Sequence, residues 1–458
     1  MREPGSDAAN RIPLPPEFLR QMAELLGEEF PAFLASYAEP AVSGLRVNTL
    51  KLSPAAFRKL SPFPLSPVPW CAAGFILSPE HEAGKHPFHA AGLYYLQDPS
   101  AMVAAELLAA RPGERVLDLC AAPGGKATHL AAQLQGEGLL VANEVIPARA
   151  RVLNENLERW GATNAIITVE TPERLAARWP GYFDRVLVDA PCSGEGMFRK
   201  SDTARQEWQP EQVAGCALRQ SRILDTAAAL VRPGGMLAYA TCTFALEENE
   251  GVIVDFLARH PEFAPVHIPL QLGFRQGILD AVGIRLWPHL VPGEGHYIAL
   301  LRRQGDAPPA PAPARRQQVA REAVRAFAAF CAENLRRALS VQLYAVGAAL
   351  YHLPPEAPDL SGLRYMRPGW ELGTLHRDRF EPAHALALGL TAADAQRTLD
   401  LAPADERVRR YLQGEVLDAP GEAGWLLVTV AGYPLGWGKR VGRQIKNHYP
   451  RALRWPMT

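Results

Sequence analysis

The stretch "RVLDLCAAPGGKATHLAAQL", residues 115–134, passes from a short apolar run through a proline and two glycines into a helical pattern. Strand, tight turn and helix in that order open a Rossmann-like unit. Working outward, "GLLVANE" (138–144), "AIITVE" (165–170), "RVLVDAP" (185–191), "MLAYATCTF" (236–244) and "HYIALLRR" (296–303) read as further strands. Between them "ARARVLNENLERW", "ALRQSRILDTAAALV" and "LEENEGVIVDFLARH" read as helices. Such alternation predicts a parallel sheet with helices on both faces and a ligand site at the carboxyl ends of the strands. Glu144, Asp189 and Cys242 all fall at such ends.

The turn itself narrows the ligand. A phosphate-cradling GxxxxGK loop would need glycine where Cys120 stands, and Ala127 replaces the Ser/Thr that would hold magnesium. The GxGxxG spacing for a pyrophosphate is absent too. Yet Glu144 follows Gly124 by about 20 residues, the place of a carboxylate gripping ribose hydroxyls. A nucleoside cofactor without phosphates fits, and S-adenosyl-L-methionine is the expectation.

Outside this unit, residues 1–100 mix an amphipathic helical stretch, "PEFLRQMAELLGEEFPAFLASY", with proline-broken segments. The boundaries expected are 1–100, a Rossmann-like unit over 101–303, an Ala/Pro-rich linker over 304–318, and a C-terminal region over 319–458 with the strand "GWLLVTV". The chain of 458 residues has 48 Lys+Arg against 48 Asp+Glu, so nucleic-acid contact must come from local patches rather than the whole surface. No apolar run approaches a membrane span and the N-terminus shows no secretory signal, which makes the cytoplasm the expected compartment. The six cysteines (71, 120, 192, 216, 242, 331) form no CxxC pair and no zinc spacing, and read as free thiols. "HEAGKHPFH" gathers His81, His86 and His89 without an acidic or cysteine partner, so no metal is expected.

Two of the cysteines sit at strand ends, in "DAPCSG" (Cys192) and "ATCTF" (Cys242). Carbon 5 of a pyrimidine is a poor nucleophile; a thiolate added to carbon 6 makes it an enamine-like one, and a base must later remove the carbon-5 proton. Two thiols and an aspartate on adjacent strand ends match that list.

Together "DLCAAPGGK", "DAPCSGEG" and "YATCTF…EENE" resemble the Sun-type RNA cytosine-5 methyltransferases. "LRVNTLK" (45–51), "YYLQDPSAM" (94–102) and "LGWGKRVGRQIKNHYPRALR" (435–454) resemble the bacterial ribosomal-RNA small-subunit methyltransferase F group. The resemblance implies that Cys242 is the nucleophile, that Cys192 helps release the product, and that Asp189 faces both base and cofactor. It places Cys120, Ala121, Ala122, Pro123, Gly124, Gly125, Lys126, Glu144 and Arg149 at the cofactor. Where relatives carry an acid near the adenine this chain has Thr171, with Glu170 as a substitute. It further implies an N-terminal RNA-binding region containing Arg46 and a C-terminal PUA-like fold. In the latter Lys439, Arg440, Arg443 and Lys446, interleaved with Trp437, Tyr449 and Trp455, would grip RNA by phosphate neutralisation and base stacking. The expected partner is 16S ribosomal RNA and the expected state a monomer. The same chemistry on tRNA, or a ribosome-assembly factor without turnover, remains an alternative. A DNA cytosine-5 enzyme is disfavoured, because there the Pro-Cys thiol itself attacks and no Thr-Cys is needed.

Overall fold

The structure, a computed structural model, describes residues 12–456 except 79, 271, 279–281, 307–316 and 378, so most of the expected linker lies outside the described residues. Its centre is a ten-stranded mixed sheet. Arg115–Asp118 runs parallel to Leu139–Asn143 on one side and to Phe183–Asp189 on the other. Ala165–Thr168 and Val231–Thr241 extend the two sides, also in parallel. Strand order therefore reverses at Arg115–Asp118, which opens a crevice at its carboxyl end.

Both faces are covered, which is why these strands read as continuous apolar runs rather than alternating ones. Val116, Leu140, Leu187 and Ala238 point into one core, with Leu130 and Leu134 of helix Gly125–Leu134 and Leu153 and Leu157 of helix Pro147–Trp160. Leu117, Val141, Val186 and Leu237 point into the other, with Leu224 of helix Pro210–Leu230 and Ile253 of Glu250–Arg259. Helix Pro147–Trp160 stops at Gly161, whose φ of 79° lies in the left-handed region that favours glycine.

The sheet is not parallel throughout. His296–Arg303 runs antiparallel to Val231–Thr241, with Tyr297 opposite Thr241. After helix Glu250–Arg259 the chain reaches it through the antiparallel ribbon Arg275–Gln276 and Ile284–Leu286, so it enters from the carboxyl end of the parallel strands. At the other edge Tyr365–Arg367, from the C-terminal region, pairs with Ala165–Thr168.

Three smaller sheets surround this one. In the N-terminal sheet Ser43–Val47 lies between Cys71–Leu77 and Tyr94–Leu96. In the C-terminal five-stranded sheet Gly424–Val430 pairs with Tyr433–Val441, which pairs with Gln444–Asn447. These two sheets share one core: Leu45, Val47 and Tyr94 pack with Leu426, Val428, Leu435 and Ile445. The amphipathic N-terminal stretch forms Pro16–Leu26 and Phe30–Ser36; Phe18 and Phe33 pack with Phe198, Trp208 and Phe244, just behind Cys242. No described helix is long and apolar enough to cross a membrane.

Candidate active site

The crevice is built from the ends of four parallel strands and the turn after the first. Gly124 adopts a φ of 116° where the turn enters the helix, a conformation that favours glycine. Its neighbours are tied down by their backbones: Ala121 N–H donates to the Asn143 carbonyl (2.8 Å), and Asn156 Nδ2 donates to the Pro123 carbonyl (2.7 Å). Arg149 bridges the turn to the next strand end, donating to the Ala122 carbonyl (2.9 Å) and pairing with Glu144 (3.1 Å). Glu144 also accepts from Ile146 N–H at 2.9 Å. The structure thus brings residues 120–126, Glu144 and Arg149 to one place.

Lys126, in the first turn of its helix, meets Asp189 at 2.7 Å. Burial acts to lower the Lys126 ammonium, but the charge and hydrogen bond of Asp189 outweigh it and hold it above the usual lysine range. The Cys192 and Cys242 sulfurs stand 3.3 Å apart. The Cys192 thiol is pushed well above the usual thiol range, first by its hydrogen bond with Cys242 and then by burial. Cys192 therefore holds its proton more firmly than an ordinary thiol, with Cys242 Sγ as its hydrogen-bond partner.

One acid at the site went unselected in the sequence. Asp118 ends the first strand, is fully buried, and neither carboxylate oxygen has a hydrogen-bond partner. Burial, then the negative charge of Asp189, push it up to about 8. Its only sequence signal was its place at the head of "DLCAAPGGK".

Other expectations fare differently. Thr171 precedes helix Pro172–Arg178 without making a side-chain cap bond to it. Glu170 does not replace it freely: its carboxylate accepts from Arg364 N–H (2.7 Å) and pairs with Arg174 (2.9 Å). Arg46 is no surface RNA contact. It is fully buried, donating to Gln97 Oε1 (2.9 Å), the Gly125 carbonyl (2.9 Å) and Thr128 Oγ1 (2.8 Å), and it stacks on Trp160. The strand Ser43–Val47 turns it inward, where it braces the helix that carries Lys126.

In the C-terminal sheet Arg440 is buried and donates to the Glu422 carbonyl, and Trp437 and Tyr449 are core residues rather than stacking platforms. Arg443 is exposed but paired with Asp418, and Lys446 is exposed. Lys439 lies over the Trp425 ring and directly opposite Lys446 in the ladder.

Among the histidines, His86 accepts from Phe88 N–H, and burial pushes His89 down to about 3. A different trio of ligand-type side chains meets in the interior: Cys71, Glu106 and His129. Burial drives Cys71 up to about 12 and His129 down to about 4, while Glu106 accepts from His129 at 3.1 Å. The field of the Arg46 guanidinium reaches all three, so the positive charge there is already supplied and the trio is an internal hydrogen-bond network.

Comparison with known proteins adds to this geometry. Residues 105–302 match the family described as 16S rRNA methyltransferase RsmB/F. Residues 14–99 match the N-terminal domain of 16S rRNA methyltransferase RsmF, 329–390 its first C-terminal domain, and 398–455 its PUA domain. Ribosomal RNA small subunit methyltransferase F of Klebsiella pneumoniae (strain 342) is 35% identical over 470 residues, 97% of this chain and 98% of that protein. Its counterpart in Enterobacter sp. (strain 638) is 34% identical over 97% of each. Among solved structures, a methyltransferase homolog protein from Pyrococcus horikoshii superposes with a TM-score of 0.56 at 29% identity, over 66% of this chain and 100% of that one. NSun6 from the same organism, at 22% identity and a TM-score of 0.56 over 64% of this chain and 99% of that one, shares the fold.

Proposed function

This chain belongs to the 16S rRNA methyltransferase RsmB/F family and is an rRNA methyltransferase, and from that premise we propose that it methylates carbon 5 of a cytosine in small-subunit ribosomal RNA through a covalent adduct on Cys242. The observation that carries the reading is the thiol pair: two sulfurs 3.3 Å apart, of which Cys192 retains its proton, beside the Lys126–Asp189 ion pair.

S-adenosylmethionine supplies an electrophilic methyl group when bound. The residues present suit it: Glu144, held at its strand end by Arg149 and Ile146 N–H, offers a carboxylate to ribose hydroxyls, and the unpartnered carboxyl of Asp118 suits the amino group of a methionine tail. Cys242 Sγ bonds to carbon 6 of the base as ring N3 takes a proton at Asp189, and carbon 5 becomes nucleophilic. Lys126 stabilises the attacking thiolate and keeps Asp189 in place. The proton at N3 comes from solvent through Asp189, so attack does not need Cys192. Once Cys242 Sγ is bonded to carbon 6 it no longer holds the Cys192 proton, which passes to solvent and leaves Cys192 a base. After methylation Cys192 takes the carbon-5 proton, the bond from Cys242 to carbon 6 breaks, and N3 gives up its proton. The thiol pair is restored and one proton leaves to solvent per turnover.

Denaturing gels of enzyme mixed with small-subunit RNA test this directly. Cys192→Ala is expected to attack, methylate and stall as a protein–RNA band; Cys242→Ala is expected to give neither band nor methylation. Full turnover by Cys242→Ala would sink the covalent route, and a band from Cys242→Ala alone would exchange the two roles. Bisulfite sequencing of RNA from a strain lacking the gene identifies the substrate; loss of 5-methylcytosine from a tRNA but not from 16S RNA would overturn the assignment.

A further inference from the structure

Behind the two thiols lies a pair of acids with no place in the chemistry above. Glu195, three residues after Cys192, accepts from Phe244 N–H at 2.8 Å, in the loop of Cys242. Glu248, six residues after Cys242, accepts from Ser193 N–H at 3.0 Å, in the loop of Cys192. Each loop thus sends a carboxylate across to the backbone of the other. Between them Ser193 Oγ meets Thr243 Oγ1 at 2.8 Å, and Gly196 N–H donates to the Cys242 carbonyl at 2.8 Å. A Cβ on Gly196 would stand 2.8 Å from that carbonyl oxygen, so only glycine allows the loops to approach so closely.

Both acids are fully buried, and neither makes an ion pair among the described residues. Burial raises Glu195 to about 7 and pushes Glu248 upward. Two interior carboxyls without a cation are costly to keep for packing alone. Trp208 Nε1 donates to Glu195 Oε1 (3.2 Å), and Gln220 Nε2 donates to Glu248 Oε2 (2.7 Å) while also reaching the Pro191 carbonyl (3.0 Å). The second bonds hold the carboxyls themselves in place.

We propose that Glu195 and Glu248 are positioning residues, a crossed brace that sets the Cys192–Cys242 spacing and so couples attack by one thiol to release by the other. The coupling to release rests on the covalent reading; the spacing does not.

Phenylarsine oxide separates the two. It condenses with two neighbouring thiols, forming two As–S bonds and losing one water, so intact mass reports the spacing without RNA. The wild type is expected to take up one bridged arsenic, and Cys242→Ala none at that site. Glu248→Asp keeps the carboxyl but shortens the reach, and is expected to slow bridging by about tenfold or more. Glu248→Gln replaces the carboxyl but keeps one oxygen at Oε2, where the shorter bonds of both donors meet, and is expected to bridge within about threefold of wild type. Glu195→Gln cannot serve both of its donors, which meet different oxygens, and is expected to resemble Glu248→Asp. With RNA, Glu248→Asp is expected to accumulate the adduct band as Cys192→Ala does. Bridging by Glu248→Asp at the wild-type rate, or a Glu248→Gln variant slower than the Asp one, would overturn the brace. A wild type that bridges arsenic but never joins RNA would overturn the covalent reading and leave the brace standing.

Discussion

Asp118 shows what one side chain does at this site. Its carboxyl is pushed up to about 8 by burial, so in the cofactor-free protein it is protonated at neutral pH. To hold an ammonium it must lose that proton. Binding of S-adenosylmethionine is therefore expected to release up to one proton below pH 8, and affinity to rise with pH by at most about tenfold per unit before levelling off. Calorimetry in buffers of different ionisation enthalpy checks this, and Asp118→Asn is expected to abolish the slope. A slope unchanged in that variant would place the linked proton elsewhere. The acid itself was plain in "DLCAAPGGK", but its missing partners were not, because orphaned oxygens are a property of the packed interior. Cys242 and Cys192 could be picked from the sequence because each sits in a motif at a strand end, Lys126 because it closes the glycine turn, and Glu144 by its strand end and its spacing from Gly124.

At the scale of elements, two basic segments that were both expected at RNA part ways. The strand Ser43–Val47 carries Arg46 inward, onto the first turn of the Lys126 helix. Arg46→Met is expected to destabilise the protein by about 1.5–3 kcal/mol, the scale of one hydrogen bond to a charged group, and to weaken cofactor binding. It should leave the salt dependence of RNA binding unchanged. The hairpin Tyr433–Val441 and Gln444–Asn447 instead sets Lys439 and Lys446 side by side. Replacing both with glutamine is expected to flatten the log-affinity against log-salt slope by roughly 0.7 for each phosphate no longer neutralised. Filter binding over a salt series distinguishes the two, and a slope altered by Arg46→Met but not by the lysine pair would reverse the assignment. A run of basic residues shows charge but not which strand face each occupies, which is why Arg440 and Lys439 could not be told apart beforehand.

Across the whole molecule, the first and last sheets depend on each other. Leu45, Val47, Phe57, Phe75 and Tyr94 lie in the core they share with the C-terminal sheet, and Tyr365–Arg367 caps the edge of the catalytic one. Uncovering side chains of this kind costs about 1.5–3 kcal/mol each. Five of them reach the scale of a domain's entire stability, about 5–15 kcal/mol. A chain cut to residues 1–304 is expected to aggregate or to lose cofactor affinity as Glu170 loses Arg364; a monodisperse fragment with full affinity, by size exclusion and calorimetry, would show the C-terminal region to be separable. The strand–turn–helix order, the crevice at the strand ends and the thiols placed there follow from the sequence without any coordinates, because periodicity, glycine turns and short motifs are local. The antiparallel last strand, the inward Arg46, the crossed carboxylates and the core joining residues 45 and 445 emerge only on folding, because each depends on segments far apart in the chain meeting in space.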